Sequence, residues 1–371
     1  MRTEQPKTIR LSDYQAPDYQ ISETHLTFAL YDDHALVHAH LEFQRNPELS
    51  SPELPPLVLH GVDLKLIHIA MDAQVLDAEQ YSIDAESLSV QPTTTTFSLD
   101  TTVRIEPQNN TALEGLYRSG SMFCTQCEAE GFRKITYYLD RPDVMSSFTT
   151  TIIADAQKYP VLLSNGNKID EGTEDNGRHW ATWEDPFKKP AYLFALVAGD
   201  LWCVEDRFTT MSGREVTLRI FVEPENIDKC QHAMDSLKRS MRWDEEVYGR
   251  EYDLDIFMIV AVNDFNMGAM ENKGLNIFNS SCVLAKPSTS TDAAFQRIES
   301  IVAHEYFHNW SGNRVTCRDW FQLSLKEGFT VFRDSEFSAD MNSRTVKRIE
   351  DVAYLRTHQF AEDSGPLAHP V

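Results

Sequence analysis

The pattern of apolar residues changes about 200 residues into the chain, and this change is the feature that most constrains the fold. From Ile9 to about Gly199 the apolar residues form short runs, and in Val37–Phe43 they alternate with histidine and glutamate. A period of two is typical of a strand with one solvated face. We therefore predict an all-β domain of mostly antiparallel strands, a sandwich or a saddle, over residues 1–200.

After this point apolar residues recur at helical spacing, and helical segments alternate with strand-like ones. This alternation predicts a mixed α/β domain, to which we assign residues 201–371. The predicted elements are a helix over 226–248 ended by Gly249, a buried strand over 254–262, a helix from Thr291 or Asp292 through Ser311 ended by Gly312, and a helix over Leu323–Phe337.

Charge and composition exclude several classes of partner. Of the 371 residues, 57 are acidic and 34 are basic, so the net charge of −23 repels phosphate backbones and anionic lipid. The amino-terminal residues lack the apolar core of a signal peptide, and every apolar run is shorter than the ~18 residues of a membrane helix. Six cysteines are too few for a disulfide scaffold. We predict a cytoplasmic protein that binds neither nucleic acid nor membrane.

One helix of the second domain carries His304, Glu305 and His308 as an H-E-x-x-H pentapeptide. Residues i and i+4 lie one turn apart on one helix face, so both imidazoles can reach the same zinc ion. The glutamate lies about 100° round the helix, where it can bond a metal-bound water. The arrangement suits hydrolysis, although the pentapeptide alone is only moderately specific.

A third zinc ligand is available in the next predicted helix, where Glu327 follows Lys326. A carboxylate from a neighbouring helix would complete a site of two histidines and one glutamate, with one position left for water. We therefore predict one zinc ion per chain, bound by His304, His308 and Glu327. The alternative is that both histidines are ordinary helix residues and that Glu327 is solvated.

Upstream of these helices lies the run Gly268-Ala269-Met270-Glu271-Asn272. Small residues such as Gly268 and Ala269 allow a substrate backbone to approach an exposed strand edge. Glu271 offers a carboxylate that can pair with a cationic amine. Taken alone this signal is weak, because a loop glutamate is usually only solvated.

Together, the GAMEN run, the HEYFHNW run and a glutamate nineteen positions after the second histidine resemble the gluzincin family of zinc aminopeptidases. The resemblance spans nearly the whole chain and implies a thermolysin-like fold for the second domain. It implies that His304, His308 and Glu327 bind zinc and that Glu305 is the general base. It also implies that the GAMEN residues contact the substrate and that Glu271 holds the free α-amino group.

The resemblance extends to Cys124-Thr125-Gln126-Cys127-Glu128, which we predict to be a loop segment of the first domain. In the family the corresponding segment enters the active site, which implies that Gln126 and Glu128 help to bind the amino-terminal residue of the substrate. Read without the family, C-x-x-C indicates a redox pair or half of a zinc ribbon. The chain has no second C-x-x-C and no thioredoxin-like βαβ pattern around this one, which argues against both.

The chain departs from the family after the third zinc ligand. The family supplies a tyrosine to the oxyanion far beyond that ligand, whereas only Tyr354 follows Glu327, in a different context and too close. The family's later domains are not represented either. We therefore expect these 371 residues to be the front part of a longer enzyme, with a truncated catalytic domain and little activity alone.

The function predicted from these features is the release of amino acids from peptides with a free amino terminus, by a zinc enzyme that acts as a monomer. Three alternatives stay open at this point. A thermolysin-like endopeptidase shares the zinc helix but has no need of amine-binding carboxylates. An epoxide hydrolase can be built on the same scaffold, and a noncatalytic fragment would retain the site as a folding or binding module.

Overall fold

The computed structural model describes residues 8–49, 53–366 and 368. Residues 1–7 lie outside the described residues. They begin the amino-terminal stretch in which we expect no signal peptide. The last segment of the sequence, SGPLAHPV, also lies partly outside the described residues, at residue 367 and residues 369–371.

The first half of the described chain consists of strands and short 3-10 turns, as the period-two pattern predicts. Its strands are β1 (Tyr19–Leu30), β2 (Ala35–Arg45), β3 (Leu57–His60), β4 (Lys65–Met71), β5 (Gln74–Val75), β6 (Tyr81–Ile83), β7 (Ser87–Val90), β8 (Thr96–Ile105), β9 (Gly115–Ser119), β10 (Met122–Gln126), β11 (Met145–Asp155), β12 (Val161–Ser164), β13 (Asn167–Thr173), β14 (Arg178–Pro190) and β15 (Leu196–Gly199).

Within the described residues these strands form three sheets. An eight-stranded sheet has the order β13-β14-β11-β1-β2-β8-β4-β5, a four-stranded sheet has the order β12-β15-β10-β9, and β3, β7 and β6 form a small third sheet. Apart from the parallel pair β1 and β11, the paired strands are antiparallel. In β2 the side chains of Val37, Ala39 and Leu41 are buried and those between them are half-buried, so this strand has one face in the core.

The second half is mixed, and its sheet has the order β16-β17-β18-β20-β19. The three central strands run parallel, and the two outer strands pair antiparallel with their neighbours. No helix among the described residues is long and apolar enough to cross a membrane. The elements are β16 (Trp202–Thr209), β17 (Glu215–Val222), β18 (Ile256–Val262), β19 (Ala269–Met270), β20 (Leu275–Asn279), α1 (Gln231–Tyr248), α2 (Asp292–Phe307), α3 (Leu323–Met341), α4 (Arg344–Tyr354) and α5 (Phe360–Asp363).

Strand β18 connects the two halves through their cores. Met258 and Val260 pack into the hydrophobic cluster of the β-rich half, whereas Ile259 and Ala261 pack into a second cluster that contains residues of the helices. Both faces of the strand are therefore buried, which explains why its sequence is a continuous apolar run rather than an alternating one.

Helices α2 and α3 begin at the predicted positions but end elsewhere, whereas α1 ends as predicted at Tyr248 and begins at Gln231, after a separate 3-10 helix over Pro224–Lys229. The hydroxyl of Thr291 accepts a hydrogen bond from the Ala294 amide and caps α2, as predicted. The helix ends at Phe307 rather than at Ser311, because the chain reverses there in a turn whose Gly312 has a φ of +138°, a value that favours glycine. Helix α3 continues to Met341, beyond its predicted end.

Candidate active site

The side chains of His304, His308 and Glu327 converge between α2 and α3. The two Nε2 atoms lie 2.9 Å apart, and each lies 3.4 Å from Oε2 of Glu327. Zinc binds its ligands at about 2.0–2.2 Å in tetrahedral geometry, which places neighbouring ligand atoms about 3.3–3.6 Å apart. Both nitrogen–oxygen distances match this spacing, and the two nitrogens lie about 0.4 Å closer together than its lower end. The three donors therefore fit one zinc ion, with a fourth position left for water or substrate.

The other ring nitrogen of each histidine is held by an oxygen. Nδ1 of His304 lies 2.7 Å from Oδ2 of Asp334, and Nδ1 of His308 lies 2.8 Å from the carbonyl oxygen of Ser311. Since both partners are acceptors, each Nδ1 carries a hydrogen, and in the neutral ring each Nε2 offers its lone pair to a metal. This is the arrangement that second-shell acceptors impose on zinc-binding histidines.

The site favours positive charge at its centre. Burial alone would lower the pKa of His304, but hydrogen bonds with Asp334 and Glu327 outweigh it and raise the pKa to about 11. Burial likewise opposes ionisation of Glu327, yet its bonds to His304 and His308 hold its pKa well below the usual range. A metal cation satisfies these groups in the same way as a proton does.

Glu305 is buried beside the zinc-ligand candidates, and its Oε2 has no hydrogen-bond partner among the described residues. Burial raises the pKa of Glu305 to about 8, and the Glu271 and Glu327 carboxylates add to this rise against the opposing effect of His304. A carboxylate with a raised pKa and a free oxygen can accept a proton from a water molecule and pass it on near neutral pH.

A cavity of about 280 Å³ opens over these groups. Its lining includes most of the residues that the sequence singles out, and it adds four that the sequence motifs did not indicate: Met267, Ser300, Ile301 and Asp334. Of the four, Asp334 has a recognisable sequence signal, because it lies seven residues after Glu327 and therefore on the same face of α3. The predicted residues in the lining are Glu128, Gly268, Ala269, Glu271, His304, Glu305, His308 and Glu327.

Three carboxylates meet on one side of this cavity, and a lysine lies among them. Oxygen atoms of Glu128, Glu271 and Glu327 lie within 4.8 Å of one another. The ammonium of Lys326 forms ion pairs with all three groups, at 2.9 Å from Glu128 Oε1 and 2.8 Å from Glu327 Oε1, and in close contact with Glu271 Oε1. Burial raises the pKa of Glu128 to about 7, whereas for Glu271 the charges of Lys326 and His308 outweigh burial and lower the pKa.

Two residues of the GAMEN run, Ala269 and Met270, form β19 at one edge of the mixed sheet. Among the described strands β19 pairs only with β20, so its other edge can take an extended peptide. Gly268, Ala269 and Glu271 line the cavity, whereas Met270 and Asn272 are buried and do not. The structure therefore brings part of this run to the cavity and places the rest in the core.

Gln126 lies at the end of β10, so Cys124, Thr125 and Gln126 form a strand paired with β9 rather than the predicted loop, whereas Cys127 and Glu128 lie after the strand, as predicted. Nε2 of Gln126 lies 3.6 Å from Sδ of Met270 and donates to the Glu128 carbonyl oxygen at 3.2 Å, while its Oε1 has no described partner. Gln126 thus connects β10 to Met270 of the GAMEN run, and it is not among the residues that line the cavity. Burial raises the pKa of the Cys124 thiol to about 12, which disfavours a redox role.

Tyr354 does not contribute to this site. Its side chain is exposed on α4, and its ring stacks on His358 with the centroids 4.2 Å apart. It is not among the residues that line the cavity.

Two profiles of one peptidase family match this chain. The profile described as the peptidase M1 N-terminal domain matches residues 18–193, and the profile described as the peptidase family M1 domain matches residues 232–371. The β-rich half and the half with the zinc-ligand candidates thus correspond to successive parts of one family, as the predicted fold class requires.

Named relatives agree with these profiles. Aminopeptidase N of Caulobacter vibrioides is 59% identical over 371 residues, and aminopeptidase N of Escherichia coli is 57% identical over 369 residues. In each case the match takes in 100% of this chain and 42% of the relative. A crystal structure of Legionella pneumophila aminopeptidase A in complex with aspartic acid superposes with a TM-score of 0.89 at 38% identity, over 92% of this chain and 40% of that one.

Proposed function

The chain belongs to peptidase family M1, as its motifs predict, and on this basis we propose that it carries the zinc site and the amine-binding site of an alanyl-type aminopeptidase. The observation that carries the proposal is the position of Glu128 and Glu271 in the same cavity as His304, Glu305 and Glu327. Because the chain spans about two fifths of the length of its relatives, the activity of the whole enzyme is part of the proposal.

We propose that His304, His308 and Glu327 hold one zinc ion, which supplies Lewis-acid activation of the scissile carbonyl and of the attacking water. Glu305 accepts the proton of that water and delivers it to the leaving amine. The unpartnered Oε2 of Glu305 supports this role, since it leaves an acceptor free in the cavity. Asp334 holds the imidazole of His304 through Nδ1.

Glu128, Glu271 and Gln126 hold the substrate's amino-terminal residue in this proposal. Two carboxylates around one ammonium select a charged amino terminus, because they attract the ammonium electrostatically and leave no passage for a chain that continues through the cavity. Fixing the ammonium also fixes the first peptide bond over the metal. Gly268 and Ala269 leave room for the substrate backbone at the edge of β19.

The proposed substrates are therefore peptides with a free amino terminus, and single residues are released in steps. We also propose that the enzyme acts as a monomer in the cytoplasm. The six cysteines form no disulfide among the described residues, which agrees with a reducing compartment.

The test compares three substrates on the zinc-loaded chain: alanine p-nitroanilide, its N-acetyl derivative and a peptide blocked at both ends. We expect slow turnover of the free-amine substrate alone, in keeping with the little activity expected of these 371 residues, and its loss in Glu305→Gln with the zinc content unchanged. The control is Glu299→Gln, a glutamate of the same helix that pairs with Arg239 at 2.8 Å. Cleavage of the blocked peptide would favour an endopeptidase, and absence of turnover with zinc bound would favour a noncatalytic fragment.

A further inference from the structure

Lys326 is a buried cation that the proposed mechanism does not use. Its side chain is 1% exposed, and its ammonium lies between Glu128, Glu271 and Glu327. A buried lysine keeps its charge where opposite charges surround it, and here three carboxylates lie around the ammonium at ion-pair distance. The carboxylates that the family resemblance assigns to the substrate's amine are therefore already paired with an ammonium from the chain itself.

The position of this ammonium is set by the packing of its stem. The Cγ and Cδ atoms of Lys326 pass close to Gly312, where an added Cβ would lie 3.1 Å from both. The ammonium lies 5.3 Å from the centre of the Tyr192 ring, and the carbonyl oxygen of Lys326 accepts a hydrogen bond from Thr330. The stem of the side chain is thus packed against the backbone at Gly312, and Lys326 is not among the residues that line the cavity.

We propose that Lys326 is a specificity-determining residue, whose ammonium is the resident counter-ion of Glu128 and Glu271 and occupies the position that a substrate's α-ammonium takes. This inference rests on the proposed function. It adds that an ammonium of the chain itself competes with the ammonium of the substrate for the same carboxylates. A primary ammonium on a lysine and one on a peptide terminus have the same charge and donors, so either can satisfy these two carboxylates.

Two consequences follow for substrate binding. A neutral ligand cannot replace Lys326, because displacement would leave buried carboxylates without a cation. A cationic ligand can replace it, but its apparent affinity falls by the fraction of time that the carboxylates are free. If Lys326 occupies them for roughly nine tenths of the time or more, this factor is about ten or more.

The experiment measures the binding of L-alanine amide and of propionamide, which differs by lacking the amino group, to the zinc-loaded chain at pH 8 by NMR titration. Lys326→Met removes the charge and keeps the length of the side chain. We expect L-alanine amide to bind about tenfold more tightly or better to this variant, with no change for propionamide. The matched control is Lys189→Met, since Lys189 is also buried and pairs with Asp185 at 3.1 Å.

Unchanged or weaker binding of L-alanine amide would overturn the proposal, and an equal shift for both ligands would show a merely structural role. If L-alanine amide and propionamide bind with the same affinity as each other, both to the unmodified chain and to the variant, the assignment of the amine-binding site is wrong, and the proposed function fails with it.

A second measurement uses the unmodified chain and therefore does not depend on the folding of the variant. With ¹³C-labelled lysine, the Cε signal of Lys326, assigned by its loss in Lys326→Arg, should move on addition of L-alanine amide and stay in place with propionamide. A signal that L-alanine amide leaves unmoved would overturn the proposal.

Discussion

The ammonium of Lys273 lies 2.7 Å from Oδ1 of Asn309, and this contact joins the residue after the GAMEN run to the residue after the second zinc-ligand candidate. Both side chains also contact Asp253, Lys273 through an ion pair and Asn309 through its Nδ2 at 3.2 Å. Arg314 adds a second cation, 2.9 Å from the other oxygen of Asp253. One polar cluster therefore fixes the proposed amine-binding carboxylate relative to the zinc helix.

The first prediction concerns this cluster. Lys273→Met should lower the free energy of unfolding by about 3 kcal/mol, near the low end for the loss of one partner of a buried pair, because Arg314 still pairs with Asp253. Urea unfolding measures the change. Lys158→Met, which breaks a more exposed pair with Asp32, should change the value by less than about 0.5 kcal/mol. Equal losses in the two variants would contradict the structural role of Lys273.

The second prediction tests Glu271. Glu271→Gln should reduce kcat/KM for alanine p-nitroanilide by roughly 10- to 150-fold, because one charge-assisted contact to an ammonium contributes about 1.5–3 kcal/mol. The zinc content should not change. Glu130→Gln is the control, since Glu130 is near Glu128 in sequence but pairs with Arg133 outside the cavity lining. Efficient hydrolysis of the N-acetyl substrate by the unmodified chain would count against amine binding.

The third prediction tests Asp334, whose carboxylate accepts the hydrogen bond from Nδ1 of His304. Asp334→Asn should weaken zinc binding by about 10- to 100-fold, the usual effect of removing a second-shell carboxylate. Titration against a chelator of known affinity gives the constant. Asp340→Asn, on the same helix and paired with Arg344, should leave the constant unchanged. An unchanged constant in Asp334→Asn would mean that this carboxylate does not orient the ligand.

The fourth prediction compares this chain with a longer relative. The 371 residues should turn over alanine p-nitroanilide at least about 10²- to 10³-fold more slowly per zinc than Escherichia coli aminopeptidase N, of which they span 42%. The reason is that the oxyanion tyrosine implied by the family is not among these residues. Equal turnover per zinc would show that such a donor is dispensable.

The zinc-ligand candidates could be predicted because their geometry is local. His304 and His308 share a helix face by spacing alone, and Glu327 is the first acidic residue of the next predicted helix. The end of α2 could not be predicted in this way. In sequence, residues 308–311 continue a plausible helix up to Gly312, whereas in the structure the Ser311 carbonyl oxygen accepts a hydrogen bond from His308 Nδ1 where the chain reverses.

Contacts between distant segments explain most of what the sequence did not indicate. The pairing of β10 with β9 makes a strand of a segment that reads as a loop, and it brings Glu128 to the cavity. Lys326 shows no special signal beside Glu327, because its other two partners, Glu128 and Glu271, come from distant parts of the chain. Charge clusters of this kind depend on the tertiary fold, and a single sequence does not encode them as a motif.

The most direct test of the account is the metal content of the purified chain, measured by elemental analysis after dialysis against a dilute zinc buffer. We predict one zinc per chain in the unmodified protein and loss of that zinc in His308→Ala. The control is His40→Ala, which should keep its zinc, because the His40 imidazole bonds Asp100 and Glu42 on the eight-stranded sheet. Retention of stoichiometric zinc by His308→Ala with unchanged affinity would contradict the assignment of the site.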